Sequence, residues 1–234
     1  MAGAGLMMII RNLLFYIVFY GGSIFYVIAA MLALPFNEEA VRRIAEGWSG
    51  FHRFCVCRLL GIKVVIEGHQ AQGPVLYAIK HESFFEAIDV PNLLSRPVVF
   101  AKLELFSIPG WGRAAKAYGA VAVARDQGAT ALRTMIGEAK AYVKQGRPLA
   151  IFPEGSRMPH GQQPELKSGF AGIYKLLGLP IIPVAVDSGP LYHRRWKRAG
   201  VIRFRFGEVI PAGLDRDEVA RRVHAGINAL NPPE

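Results

Sequence analysis

The chain has 234 residues, a formal net charge of +10, and 52% hydrophobic residues. This length suits one sizeable domain with its own core, and the hydrophobic fraction exceeds that of an ordinary soluble domain, which indicates a membrane segment. A basic chain of this kind suits an anionic membrane surface or an anionic lipid. Nucleic acid would also suit the charge, but the sequence contains no recognisable nucleic-acid fold signature.

The hydrophobic excess lies in the first part of the chain. Leu13 to Leu34 is a run of 22 residues without a formal charge, and a helix of that length, at about 1.5 Å per residue, can cross roughly 30 Å of hydrocarbon. The run is too long and too aromatic for a signal peptide. We therefore predict a membrane anchor over residues 1–36. Gly21 and Gly22 leave open a single crossing, a kink or a re-entrant helical hairpin.

Basic residues follow the anchor closely. They are Arg42, Arg43, Arg53 and Arg58. By the tendency of positive residues to stay on the cytoplasmic side, we predict an inner-membrane protein whose body faces the cytoplasm.

Residues 37–234 are predicted to form an α/β domain. Asn37 as an N-cap and Gly61 as a C-terminal stop indicate one long helix. Short apolar runs then alternate with helical stretches, which predicts a mixed, mostly parallel sheet of about seven strands flanked by helices. The predicted strands are 63–67, 75–79, 98–101, 120–123, 149–152, 181–186 and 202–206, and the later helices are 84–94, 129–145, 169–177 and 215–230.

Reactive side chains follow three of the predicted strands, where ligands bind in sheets of this kind. The first segment, KHESFFE, contains His81, and a neutral imidazole is well suited to accept a proton near pH 7. Glu86 can fold back across the strand-to-helix turn to orient the ring, whereas Glu82 is adjacent to His81 and adjacent residues rarely face each other. Ser83 lacks the glycine pattern of a nucleophile elbow. Direct transfer with His81 as base is the sharper hypothesis, and a solvated loop histidine is the alternative.

The second segment is FPEGSR, residues 152–157. Gly155 allows backbone amides to approach an oxyanion, and Arg157 supplies a planar, permanently charged fork suited to phosphate. Glu154 can hold an acceptor hydroxyl or brace Arg157. A plain turn with a paired glutamate and arginine is the weaker interpretation, because strand end, glycine and arginine coincide.

The third segment is KLELFSIPGWG, residues 102–112. Lys102 stands at a strand end and can add a second positive contact to a phosphate. The apolar residues that follow it either pack internally or line a path to lipid. A fourth stretch, PIIPVAV at 180–186, is predicted only as a buried strand with an irregular backbone.

In order and spacing, these four segments resemble the motif blocks of the glycerolipid acyltransferases, most closely the bacterial 1-acyl-sn-glycerol-3-phosphate (lysophosphatidate) acyltransferase group. The resemblance implies that His81, oriented by Glu86, is the general base on the free hydroxyl of lysophosphatidate. That oxygen would attack the thioester of acyl-CoA or acyl carrier protein, giving phosphatidate and a free thiol. The residues implied in acceptor binding are Lys102, Glu154, Gly155, Ser156 and Arg157.

Two positions depart from the family pattern. The usual first block is H-x-x-x-x-D, whereas Glu86 is one methylene longer and reaches the imidazole if the turn relaxes slightly. Asp89 would be a fallback partner on another turn of the helix. Ser156 replaces the commoner threonine of the third block and keeps the hydroxyl.

The resemblance also implies partners and alternatives. Lysophosphatidate, an acyl thioester and membrane lipids are the expected partners, with acyl carrier protein as a further candidate and nucleic acid excluded. No metal or bound organic cofactor is expected, since the thioester is a substrate and Cys55 and Cys57 lack partners at zinc spacing. The alternatives are another acceptor, such as a lyso-ornithine lipid, and a non-catalytic membrane protein that binds anionic lipid.

Overall fold

A computed structural model describes residues 2–71, 73–123 and 128–232. The helices there are α1 (Ala2–Ala33), α2 (Glu38–Cys55), α3 (Phe84–Leu93), α4 (Trp111–Tyr118), α5 (Gly128–Val143), α6 (Gly169–Leu177), α7 (Gly189–Tyr192) and α8 (Arg216–Ile227). The strands are β1 (Ile62–Glu67), β2 (Leu76–Ile79), β3 (Val98–Lys102), β4 (Val121–Val123), β5 (Leu149–Ile151), β6 (Ile181–Val186) and β7 (Gly200–Phe206). A π-helical turn, Val56–Leu60, follows α2, and a 3₁₀ helix, Leu103–Ser107, follows β3.

The strands form one sheet in the order β1-β7-β6-β2-β5-β3-β4. The five strands from β6 to β4 are parallel to one another, whereas β7 is antiparallel to β6 and parallel to β1. The prediction of a mixed, mostly parallel sheet with flanking helices is therefore confirmed. Because β2, β3, β5 and β6 run the same way, their carboxyl ends meet at one side of the sheet, which we call the carboxyl edge.

The central strands are apolar because both of their faces are covered. Every residue of β2, β5 and β6 is buried, as expected for parallel strands between two helical layers. On one face Tyr77 and Ile79 join a core with Phe85 of α3, and on the other Leu76 and Ala78 join a second core beneath α5, α6 and α8. A rigid, dry platform thus carries the residues of the carboxyl edge.

The helix predicted over 37–61 begins and ends where the sequence indicates. The Asn37 side chain accepts a hydrogen bond from the backbone N–H of Ala40 (3.1 Å), and Gly61 ends the segment at φ +71°. Its last turn, Val56–Leu60, is π-helical rather than α-helical.

The short helices α4 and α7 were absent from the sequence prediction. The sequence PGWG at the start of α4 is typical of a turn. Gly112 nevertheless lies within the helix, where the lack of a side chain permits a close approach to the backbone of Phe106. A Cβ at this position would come within 1.9 Å of the Phe106 carbonyl oxygen. The glycine permits that packing, which no local helix signal reveals.

α1 is one continuous helix that passes through Gly21 and Gly22. Of the geometries left open by the sequence, a helical hairpin within residues 13–34 is therefore not formed. Gly22 serves close packing instead, since a Cβ there would lie 2.4 Å from the Phe51 ring of α2. Gly5–Ala33, with a mean hydropathy of 2.0, is long and apolar enough to cross a membrane by length and composition.

α1 also packs against the α/β body. Phe15 and Phe19 are almost fully buried in the core shared with α2 and α3. Asn12 exchanges hydrogen bonds with the backbone of Lys197 (2.7 and 2.8 Å), in the segment after α7. Further along, Met31 lies against Gly110, in the turn that follows the 3₁₀ helix. The helix therefore contacts segments that leave the carboxyl ends of both β6 and β3.

Candidate active site

His81 lies just beyond the end of β2, at the carboxyl edge. Its Nδ1 is 2.9 Å from Oε1 of Glu86, which is fully buried, while 16% of the His81 side chain remains exposed. The imidazole stacks on the Phe152 ring at a centroid separation of 4.3 Å. With Nδ1 engaged, Nε2 is the nitrogen left for a substrate.

Glu86 reaches His81 because of the way α3 begins. Ser83 is the N-cap of α3 and Glu86 occupies the third helical position, so the two form a capping box. Oε1 of Glu86 accepts the backbone N–H groups of Glu82 and Ser83 (2.6 Å each) as well as facing His81. Glu86, which caps the N-terminus of α3, is therefore also the residue that contacts the imidazole of His81.

The second oxygen of Glu86 is held by hydroxyl groups. Oε2 accepts hydrogen bonds from Ser83 Oγ (3.0 Å) and Ser188 Oγ (2.6 Å). Burial by itself raises the pKa of Glu86, but the hydrogen bond and charge of His81, together with the bonds from Ser188 and Ser83, bring the pKa below its ordinary value. Glu86 is thus a carboxylate at neutral pH, which favours a protonated His81 when a proton arrives.

The rival acids of the first segment lie elsewhere. Asp89 pairs with the Arg53 guanidinium of α2, and Glu82 turns away from His81 to meet His160 and the Gly189 amide. The structure thus places Glu86 at the imidazole and gives the other two acids different partners.

Glu154, in the FPEGSR segment, supports His81 from the backbone side. Its Oε2 accepts the backbone N–H of His81 (3.0 Å), and its Oε1 lies 2.6 Å from the Lys80 ammonium. These contacts replace the expected brace on Arg157. The Lys80 ammonium also donates to the Gln162 carbonyl and to Asn228 Oδ1 (2.8 Å each), so this fully buried charge has three acceptors.

The turn after β5 runs from the buried Glu154 to exposed residues at the carboxyl edge. Gly155 adopts φ +73°, and its N–H donates to the Phe152 carbonyl (3.0 Å). Ser156 is half-buried, whereas Arg157 is exposed, with its guanidinium 3.9 Å from the centroid of the Phe84 ring. The guanidinium is therefore placed over the first turn of α3, on the side of the edge where His81 lies.

Lys102 is the last residue of β3 and is exposed. Because β5 lies between β3 and β2, the two strand ends are about 10 Å apart at ~4.8 Å per strand. Lys102 shares the carboxyl edge but lies outside the hydrogen-bonded cluster around His81. Beyond it Leu103, Leu105 and Ile108 are 38–47% exposed, so these three do not pack internally.

Sequence reasoning missed two contributors to this site. Ser188 follows β6, which the sequence predicts only as a buried strand, and the sequence assigns no role to Lys80. A signal for Ser188 was present, because polar residues Asp187 and Ser188 directly follow the apolar strand. Its partner, Glu86, is more than 100 residues away in the chain. Among the residues that the structure describes, no three His, Cys, Asp or Glu side chains cluster as a metal site requires.

Comparison with known proteins identifies the class. The Acyltransferase family profile matches residues 61–187, which is more than half of the chain and includes His81, Glu86, Lys102 and the FPEGSR segment. The chain therefore belongs to the acyltransferase family, and the expectation of an acyl-transferring enzyme is confirmed.

Individual relatives indicate which group within the family the chain is similar to. The chain is 27% identical over 202 residues to the 1-acyl-sn-glycerol-3-phosphate acyltransferase of Pseudomonas aeruginosa, covering 83% of this chain and 76% of the relative. It is 26% identical over 216 residues to the human 1-acyl-sn-glycerol-3-phosphate acyltransferase alpha, covering 88% and 75%. The crystal structure of the 1-acyl-sn-glycerophosphate acyltransferase PlsC from Thermotoga maritima superimposes with a TM-score of 0.74 at 22% identity over 95% of both chains, which shows a shared fold.

Proposed function

We propose that this protein transfers an acyl group from an acyl-CoA or acyl carrier protein thioester to the free sn-2 hydroxyl of lysophosphatidate, forming phosphatidate. The observation that carries the proposal is the 2.9 Å contact between His81 Nδ1 and the buried carboxylate of Glu86 at the carboxyl edge. The names of the relatives, which are 1-acyl-sn-glycerol-3-phosphate acyltransferases, support the choice of acceptor.

The proposed reaction is a direct transfer. Nε2 of His81 accepts the hydroxyl proton while the acceptor oxygen attacks the thioester carbonyl carbon. The tetrahedral intermediate then expels the thiolate as the C–S bond breaks, and the proton on His81 passes to the sulfur. Glu86 holds the imidazole orientation and stabilises its protonated form. A positioned base of this kind contributes about 10²–10⁴ in rate.

Acceptor binding is assigned to Arg157 and Lys102, which we call the cationic rim. Arg157 offers a bidentate, charge-assisted contact to the phosphate, and the Phe84 ring beneath it supports the guanidinium. Lys102 supplies a second positive charge at the same edge, while Gly155 and Ser156 line the turn between Glu154 and Arg157. Glu154 acts indirectly, since its oxygens hold the His81 backbone and the Lys80 ammonium.

The position of α1 supports work at a membrane. The helix contacts segments that leave β6 and β3, and apolar side chains on its other side are exposed. They include Leu13, Ile17, Ile24, Phe25, Ile28 and Leu32, each 49–74% exposed. Burying this surface in a bilayer would bring the carboxyl edge close to lipid substrates. We propose that the protein lies at the inner membrane with its α/β body in the cytoplasm.

The decisive experiment is an acyl-transfer assay with purified full-length protein. Lysophosphatidate and an acyl-CoA or acyl carrier protein thioester should release thiol and form phosphatidate, measured by thiol titration and by mass spectrometry of the lipid. His81→Ala should lower the rate at least about 100-fold because the base is lost. His69→Ala, at an exposed histidine after β1, is the matched control and should keep the wild-type rate.

The same assay separates the alternatives. A lyso-ornithine lipid as acceptor should give less than a tenth of the rate with lysophosphatidate, because the cationic rim binds a phosphate dianion more strongly than a carboxylate. Preference for the lyso-ornithine lipid would overturn the choice of acceptor. Lipid binding without thiol release from the acyl thioester, whichever lysolipid is offered, would show a non-catalytic lipid-binding protein and would overturn the transfer itself.

A further inference from the structure

A second imidazole–carboxylate pair lies beside the first. His160 Nδ1 is 2.9 Å from Oε1 of Glu82, whose side chain is fully buried, while 25% of the His160 side chain is exposed. Glu82 immediately follows His81, but neither Glu82 nor His160 takes part in the transfer described above. The question is what a buried carboxylate achieves in this position.

Glu82 lies in the segment that follows β2, and its side chain contacts the segments that follow β5 and β6. Through Oε1 it contacts His160, which lies in the loop after β5, and through Oε2 it accepts the backbone N–H of Gly189 (2.8 Å), at the start of α7 after β6. Its own backbone N–H donates to Oε1 of Glu86 (2.6 Å). One residue therefore connects the segments that carry His81, Arg157 and Ser188.

The joint is closely packed. A Cβ on Gly189 would lie 3.0 Å from Oε2 of Glu82 and 3.3 Å from the His160 Cβ, so only a glycine fits without displacing them. Without His160, the Gly189 amide would be the one remaining donor to this buried carboxylate in the part of the chain that the structure describes.

The loop after β5 is held by hydrogen bonds to several segments, which include His224 of α8 at the Gln163 carbonyl (3.0 Å) and Asn231 Oδ1 at the Gly161 N–H (3.3 Å). Residues 155–168 contain no helix or strand. Within this stretch Met158 N–H donates to the His81 carbonyl (2.7 Å), the Gln162 carbonyl accepts from Lys80 (2.8 Å), and Lys167 N–H donates to the Pro153 carbonyl (3.0 Å). The His160–Glu82 contact lies between the first two and is the one that ties the loop to Glu82 and hence to α7.

We propose that Glu82 and His160 are positioning residues that fix the loop of residues 155–168, and with it Arg157, against the His81 segment. Arg157 is three residues before His160, so release of His160 frees the guanidinium that binds the acceptor phosphate. The consequence for acceptor binding rests on the proposed function, whereas the fixing of the loop does not.

The kinetic test compares two substitutions at one position. His160→Ala removes the donor to Glu82, whereas in His160→Asn the side-chain amide can occupy the place of Nδ1. We expect His160→Ala to raise KM for lysophosphatidate about tenfold, the loss of roughly one buried charge-assisted hydrogen bond. His160→Asn should stay within about twofold of wild type, and KM for the acyl thioester should change in neither variant. His69→Ala serves again as the control.

The loop itself is tested without catalysis, by hydrogen–deuterium exchange and mass spectrometry of peptides covering 155–168. Exchange should accelerate in His160→Ala but not in His160→Asn, and peptides from α6 and α8 should be unchanged, which excludes global unfolding. Unchanged exchange in His160→Ala would overturn the proposal whatever the activity. Faster loop exchange with an unchanged KM for lysophosphatidate would overturn its link to acceptor binding. Wild-type protein inactive on every lysolipid would refute the proposed function alone.

Discussion

The site contains two buried glutamates that each face a histidine, and their environments have opposite electrostatic effects. Glu86 receives hydrogen bonds from two backbone N–H groups and two serine hydroxyls in addition to His81. Among the described residues, Glu82 receives hydrogen bonds from the Gly189 amide and His160 alone. As a result the pKa of Glu86 falls below its ordinary value, whereas burial raises the pKa of Glu82 to about 7 despite its two donors.

The difference teaches that burial does not by itself decide the charge of a carboxylate. Both side chains are fully buried, so desolvation opposes ionisation of both, and the number of donors decides the outcome. Five donors keep Glu86 charged beside the proposed base. With two donors, Glu82 has a pKa near neutral pH. It is therefore better suited to holding neighbouring loops together than to electrostatic support of catalysis.

The strongest way to break this comparison is to remove the charge of Glu86. In Glu86→Gln an amide N–H₂ must face groups that are themselves donors, and the imidazole loses its counter-charge, so kcat should fall about 10²–10⁴-fold. Glu86→Asp keeps the charge and shortens the reach by one methylene, so its loss should be much smaller. Both rates are measured by thiol release, and equal rates in the two variants would show that Glu86 does not orient His81.

A smaller effect is expected from removing one donor. Ser188→Ala deletes the 2.6 Å hydrogen bond to Oε2 of Glu86, which should destabilise the folded protein by about 1–3 kcal/mol and lower kcat several-fold. Chemical denaturation and the thiol-release assay measure the two quantities. Ser95→Ala, at an exposed serine, is the control. A Ser188→Ala protein with wild-type stability and rate would mean that the donors of Glu86 are redundant.

The smallest effect concerns the pH dependence of stability at Glu82. The pKa of Glu82 is about 7 in the folded state and about 4.3 in the unfolded state. Between these two pH values the folded state binds more protons than the unfolded state, so the contribution of Glu82 to stability declines as pH rises. The groups facing it are His160 and, less directly, Glu86. Glu82→Gln lacks this titration. The difference in Tm, variant minus wild type, should therefore increase by a few degrees from pH 5 to pH 8.

Thermal unfolding followed by circular dichroism measures this difference. The absolute Tm of Glu82→Gln reflects lost hydrogen bonds as well, so only the trend with pH is diagnostic. A difference that is constant or decreases with pH would show that Glu82 is charged throughout, like Glu86, and the contrast between the two pairs would vanish.

Much of the fold was predictable because its signals are local. All seven strands lie within two residues of their predicted ends, since short runs that are apolar or alternate between apolar and charged residues, bounded by turn residues, mark strands. Helices α3, α5, α6 and α8 also lie at their predicted places, with ends within three residues of those predicted. The pairing of His81 with Glu86 belongs to this class, because a capping box depends on residues only a few positions apart.

Contacts between distant segments were decided only by the tertiary structure. His160, the partner of Glu82, is 78 residues away, and Glu154, the partner of Lys80, is 74 residues away. Ser188, which follows β6 and donates to Glu86, is 102 residues away. A sequence pattern shows which residue types follow each strand, and so it determined that acid, imidazole and guanidinium groups meet at the carboxyl edge. Which donor meets which acceptor depends on strand order and on close packing such as that at Gly189, because hydrogen bonds require contact within about 3 Å.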